Sequence, residues 1–321
     1  MNNSGNPVTE LPLSDLKAKL GAKIDLFVCS ASYEGRCLSV PTAINASSVK
    51  TALILSNQDV LGNGPQNRDR LAEHFGDRAV QIAISKHQAI KTGDRLLEQF
   101  DQFSASDPLN CVIDVTCLTH EALLILFAIL NVRLPNGSTT TFLYTPAKEY
   151  DPGTDSSEKW LSKGIRNLRS VLGYSGKLMP SRKTHLIVLV GFEVDRTLKL
   201  IEAMEPSSLT LGMGRQPTNE SHTPTNQQKH GRLKTLFPHA SMFEFSTSNP
   251  FDARNDILEV VDKHPDQNIV LAPMNTKIST LGAALAVRQR EHVQICYAPA
   301  RIYNVENYST AEDHCYLFRL D

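Results

Sequence analysis

The chain has 321 residues, of which 41% are hydrophobic and 21% charged, with a net charge of −1 and a pI near 6.8. These values exclude a fibre or wholesale disorder, and so balanced a charge excludes a protein that coats DNA or RNA, which needs a clustered excess of Lys and Arg. The length suffices for two domains, each with its own core.

Residues 1–20 read as a polar arm with a short helix over Pro12–Lys17. The arm shows no charged-then-apolar signal pattern, and no apolar run in the chain approaches the roughly 18 residues that would span a bilayer. The first domain, 21–150, then reads as strand (Ile24–Cys29), helix from near Glu34, strand (Thr51–Leu55), helix (Asn67–Phe75), strand (Ala79–Ile84) and helix (Thr92–Phe103). An apolar strand, Cys111–Ile113, runs through Asp114-Val115-Thr116-Cys117-Leu118-Thr119-His120-Glu121 into an apolar helix, Ala122–Leu130, and a strand follows at Thr140–Tyr144.

Residues 151–183 form a linker with turn signals around a predicted helix, Glu158–Leu172, which carries the only tryptophan, Trp160. The second domain, 184–321, repeats the order: strand (Leu186–Val190), helix (Asp195–Met204), strand (Ser208–Leu211), helix (Gln227–Leu236), strand (Met242–Phe245) and helix (Asp252–Lys263). The strand Asn268–Ala272 next passes through Pro273-Met274-Asn275-Thr276-Lys277 into an apolar helix, and Val293–Tyr297 follows. The polar loop from Gly212 to Asn226 reads as a lid or ligand clamp. Tyr316–Leu320 reads as an edge strand closing the second domain.

Near-continuous apolar strands separated by helical segments predict an α/β protein with two tandem, doubly wound (Rossmann-like) domains and mainly parallel sheets. Three motifs recur in register: Glu34 with Glu193 (193 − 34 = 159), Thr119 with Thr276 (276 − 119 = 157) and Tyr144 with Tyr297 (297 − 144 = 153). We read the two domains as related by internal duplication. All three motifs fall at strand carboxyl ends, where such sheets bind ligands.

A strand that ends in small polar residues and enters a helix presents free N–H groups to an anion. Thr116, Thr119 and His120, with Asn275, Thr276 and Lys277, are therefore candidates to hold phosphate or ribose, against plain helix capping. Glu34 with Arg36, and Glu193 with Arg196, are either phosphate ligands or ion pairs tying helix to sheet. Tyr144, Tyr150, Tyr297 and Tyr303, which flank a repeated Pro-Ala step, could stack on a base or pack at the domain interface. Asp114 has no acidic counterpart in the second copy and reads as structural. No histidine spacing suits a metal, no cofactor is expected, and no P-loop, G-x-S-x-G or G-x-G-x-x-G motif follows the first strand. Cys29, Cys37, Cys111, Cys117, Cys296 and Cys315 form no CxxC pair and read as reduced core residues of a cytoplasmic protein.

Asp114 to His120 resembles the D-x-T-G-G-T-K signature of CRISPR-associated Rossmann-fold (CARF) domains, with Cys117 and Leu118 at the glycine positions and His120 at the lysine; Pro273–Lys277 resembles its second half. The resemblance implies two domains about a pseudo-two-fold axis, a cyclic oligonucleotide bound between them, and a role in prokaryotic antiviral defence. The expected function is a ligand-sensing module for a nucleotide-type anion, acting through a protein partner or effector, with a homodimer left open. Two other readings stand beside it: a metal-independent, ring-nuclease-like phosphodiesterase, and a protein-binding adaptor with vestigial clefts.

Overall fold

The computed structural model describes residues 8–21, 23–58, 61–103, 107–155, 158–215 and 222–320. The chain divides into two compact units, one made of Met1–Glu149 with Val305–Asp321 and the other of Tyr150–Asn304.

In the first unit, β1 (Thr9–Pro12) leads through a 3₁₀ turn into α1 (Leu16–Leu20) and β2 (Ile24–Ala31), every residue of which is buried. A 3₁₀ turn at Gly35–Leu38 and the short α2 (Ser39–Ala43) follow, then β3 (Val49–Asn57), α3 (Gly64–Phe75), β4 (Ala79–Ile84), α4 (Ala89–Asp101) and β5 (Asn110–Asp114). Next come α5 (His120–Arg133), β6 (Thr139–Tyr144) and, at the boundary, β7 (Ala147–Tyr150). The second unit begins with β8 (Ser162–Ile165) and β9 (Arg169–Ser170) and continues through β10 (Thr184–Leu189), α6 (Val194–Met204), β11 (Ser208–Gly214), α7 (Thr223–Leu236) and β12 (Ser241–Phe245). It ends with α8 (Pro250–Val261), β13 (Asn268–Pro273), α9 (Lys277–Gln289), β14 (Gln294–Tyr297) and β15 (Ala300–Tyr303). The chain then supplies β16 (Ser309–Ala311) and β17 (His314–Leu320) to the first unit.

The first sheet has the order β1-β17-β6-β5-β2-β3-β4 and the second β12-β11-β10-β13-β14-β9. Five strands of each are parallel, and taken in chain order within each unit they stand 3-2-1-4-5 in both. Strands of this kind are buried on both faces, which is why β2 and β13 read as near-continuous apolar runs. The motif helices are apolar almost all round for the same reason: nine residues of α5, from Glu121 to Leu130, and nine of α9, from Ile278 to Val287, are buried.

The structure corrects four expectations. Residues 158–172 form no helix; β8 and β9 occupy the span, and β9 joins the second sheet antiparallel to β14. The span carries Leu161, Ile165, Leu168 and Leu172 at helical spacing, but Gly164 inside it takes φ +65°, a left-handed turn that no right-handed helix accommodates. The N-terminal arm includes a strand, since β1 pairs antiparallel with β17, while residues 1–7 lie outside those described. β17 is not an edge strand of the second domain: it lies between β1 and β6 in the first sheet, so residues 305–321 belong to the first unit. Of the loop read over 212–226, Gly212–Gly214 end β11 and residues from Thr223 start α7; residues 216–221 lie outside those described.

Candidate functional site

In a 3-2-1-4-5 sheet the connections from the first and fourth strands leave on opposite sides, opening a crevice between their carboxyl ends. In the second unit these are β10 and β13, followed by Gly191 and by Asn275–Lys277; in the first they are β2 and β5, followed by Ser32–Glu34 and by Thr116–His120. Both repeated motifs thus stand at this point of their own sheet.

Thr119 is the N-cap of α5, its hydroxyl accepting from Ala122 N at 3.1 Å, and Thr276 is the N-cap of α9, accepting from Ser279 N at 3.1 Å. His120 and Lys277 are therefore the first residues of their helices, both half-buried, where the free N–H groups of the first turn and the helix dipole favour negative charge. Thr276 also donates to Thr247 O at 3.1 Å, fixing the turn after β12 to the turn after β13. Asn275 holds the crevice wall, donating to Val190 O at 2.6 Å and accepting from Thr276 N at 2.8 Å. Gly191 is required there, because a Cβ on it would stand 1.9 Å from Met274 O.

Thr116 is turned inward. Its amide and hydroxyl donate to Asp114 Oδ1 at 3.0 and 2.5 Å, and its hydroxyl accepts from Thr145 N at 3.0 Å. Asp114 and Thr116 are each 2% exposed. Burial pushes the Asp114 carboxyl up to about 7, with the two Thr116 hydrogen bonds and the Arg36 charge pulling the other way.

Glu34 and Arg36 form a buried ion pair, with Nε and Nη2 of the arginine 2.9 and 2.6 Å from one carboxylate oxygen. The same oxygen accepts from Ser309 Oγ at 2.9 Å, and Arg36 Nη1 donates to Thr145 O at 3.2 Å. In the second unit Glu193 accepts from the Leu161 and Ser162 amides, while Arg196 donates to Ser162 Oγ at 3.2 Å and to Ala298 O. Both arginines thus reach the carbonyl that follows the tyrosine of the fifth parallel strand. Tyr144 and Tyr297 are 3% and 8% exposed, so their rings are core and not open stacking faces. Two polar atoms at these sheet heads, Thr145 Oγ1 and Arg196 Nε, are buried without a hydrogen-bond partner among the described residues.

Lys229, His230, Phe192 and His222 were not singled out from sequence. Lys229 Nζ lies 3.7 Å from the centroid of the Phe192 ring, donates to Lys159 O at 2.9 Å, and is lowered by burial, which Glu193, Asp195 and Asp151 oppose. His230 Nε2 lies 3.3 Å from Gly191 O, and Tyr150 packs on Phe192 and His222. Lys229 and His230 lie on α7, Phe192 follows β10 and Tyr150 ends β7, at spacings that no motif search covers. All six cysteines are free, and burial raises each of their thiols. Glu312, Asp313 and His314 place ligand-type atoms within 4.8 Å of one another at the turn into β17, away from the motifs in the sequence.

No family model matches the chain, and no curated protein matches it. Among solved structures, a spermidine synthase in complex with the transition-state analogue AdoDATO aligns at 14% identity and a TM-score of 0.24, covering 42% of this chain and 42% of that one. The cytoplasmic domain of a prokaryotic cation chloride cotransporter aligns at 9% identity and a TM-score of 0.27, covering 88% of this chain and 98% of that one. Superpositions this loose carry no argument about function. Among the described residues no helix is long and apolar enough to cross a membrane.

Proposed function

We propose that the chain is a ligand-sensing module and that each unit binds a nucleotide-type anion at the crevice beside its motif helix. The observation that carries this reading is the strand order, which sets His120 and Lys277, at the heads of α5 and α9, beside the point where the chain reverses direction across each sheet. A phosphate there meets helix-start amides together with an imidazole in one unit and an ammonium in the other. Glu34, Arg36, Glu193 and Arg196 frame the crevices through their bonds to the sheet heads, and the hydroxyls of Thr119 and Thr276 set the helix starts.

We also propose that the units are Rossmann-like copies of one duplicated domain. The identical strand order supports it, as do the matching bonds from Arg36 to Thr145 O and from Arg196 to Ala298 O. The likeness of Asp114–His120 to CARF sequences puts cyclic oligonucleotides among the ligands to try first.

The test is a thermal-shift screen against cyclic di-, tri-, tetra- and hexanucleotides, linear oligoadenylates, ATP and NAD, repeated with Lys277→Ala. A ligand at one hundred times its Kd stabilises the folded state by about 2.7 kcal/mol. The expected result is a shift with one nucleotide class that Lys277→Ala reduces; no shift with any compound overturns the reading.

A further inference from the structure

We infer that the two copies exchange their closing strands, so that each unit is finished by the end of the other copy. The inference rests on the duplication proposed above. After its five parallel strands each copy continues with three more: β7, β8 and β9 in the first, β15, β16 and β17 in the second. Were each copy self-contained, β8 would pair with β7 and β9 with β6. Instead β8 pairs with β15 and β9 with β14, while β16 pairs with β7 and β17 with β6.

The registers agree between the two sides. Tyr316 pairs with Tyr144 and Leu317 with Leu143, while Arg169 pairs with Tyr297 and Ser170 with Cys296. Tyr144 and Tyr297 are equivalent positions, so Arg169 is the counterpart of Tyr316 and Ser170 of Leu317, an offset of 316 − 169 = 147 in each case. The same offset relates Ser162 to Ser309 (309 − 162 = 147), and both serines meet the charged residues of their sheet head: Ser309 Oγ donates to Glu34, while Ser162 donates its backbone N–H to Glu193 and its Oγ accepts from Arg196. Two independent relations, strand register and the serine contacts, give one alignment, as a reciprocal exchange of the same segment requires. The acidic and basic pair at the head of each sheet is therefore closed by a serine from the other copy.

The exchange is testable in the full chain. A protease recognition sequence inserted between Pro180 and Ser181, in an exposed turn, divides the chain between the copies when cut. Paired residues of neighbouring antiparallel strands have Cα atoms about 4.5–5.5 Å apart, within disulfide reach. Ser170→Cys, facing the native Cys296, and separately the double variant Leu143→Cys/Leu317→Cys, should each oxidise to a bond joining the two fragments. After cleavage, a non-reducing denaturing gel is then expected to keep the full-length mass, and reductant to release two halves. Two free halves from oxidised, folded Ser170→Cys protein would overturn the exchange. Ser170 lies on a two-residue strand at a sheet edge, so this variant remains informative should the double variant in the core not fold. Nucleotide binding enters neither readout, so failure of the sensing proposal leaves this result unaffected.

Discussion

At the residue scale, Asp114 shows how a candidate for chemistry can belong to the scaffold. Its carboxyl group organises Thr116, which in turn receives the amide of Thr145, so the ends of β5 and β6 are tied together. The cost is a buried charge. The folded state holds the carboxyl proton up to about pH 7 while the unfolded chain releases it near pH 4, so stability falls as pH rises through that window. Asp114→Asn keeps an acceptor for Thr116 without the charge. The variant is expected to gain stability relative to the parent between pH 5 and pH 8, on the order of 3 kcal/mol. Denaturant melts at the two pH values measure this, and a pH-independent difference would refute it. Under the proposed duplication Asp114 has no match in the second copy; that its partner is Thr116 is not legible in sequence, because a residue two positions along a strand end is as often turned outward as inward.

At the scale of elements, the motif helices depend on their caps. Thr119→Ala and Thr276→Ala each remove the acceptor for an amide three residues on, and each is expected to cost about 1 kcal/mol. Thermal melts of the single variants check this. Because these threonines also set the helix starts on which anion binding is proposed, Thr→Ser variants should restore both stability and any ligand response.

The strands and helices of the parallel core were legible in sequence because buried strands are apolar on both faces and helices start at polar caps; β4 spans the residues expected of it. The short antiparallel strands were not. β8, β9 and β16 hold four, two and three residues, too few for a period to declare itself, and a segment such as Glu158–Leu172 can then be given a helix it does not form. The inward turn of Thr116 and the closing serines Ser162 and Ser309 were hidden for a related reason, since their partners are distant in sequence and carry no fixed spacing.

For the whole molecule, membership of the units does not follow the order of the chain. Deleting residues 305–321 removes β16 and β17 from the first unit, taking the strand between β1 and β6 and leaving Glu34 without its serine. Hydrogen exchange on the truncated chain is expected to show lost protection in β5 and β6 with β13 and β14 unchanged, although the deletion adjoins the second unit in sequence. Equal loss in both sheets, or none in the first, would contradict the assignment of these strands.

The placement of β17 also orders events during synthesis. Every described strand of the second unit precedes β16 in the chain, so all of them emerge from the ribosome before β17 covers β6, which until then is an unpaired edge. A nascent chain ordinarily finishes its domains from the amino end. Here the half made first is the half finished last, and its open edge must stay unpaired with other chains until β17 arrives.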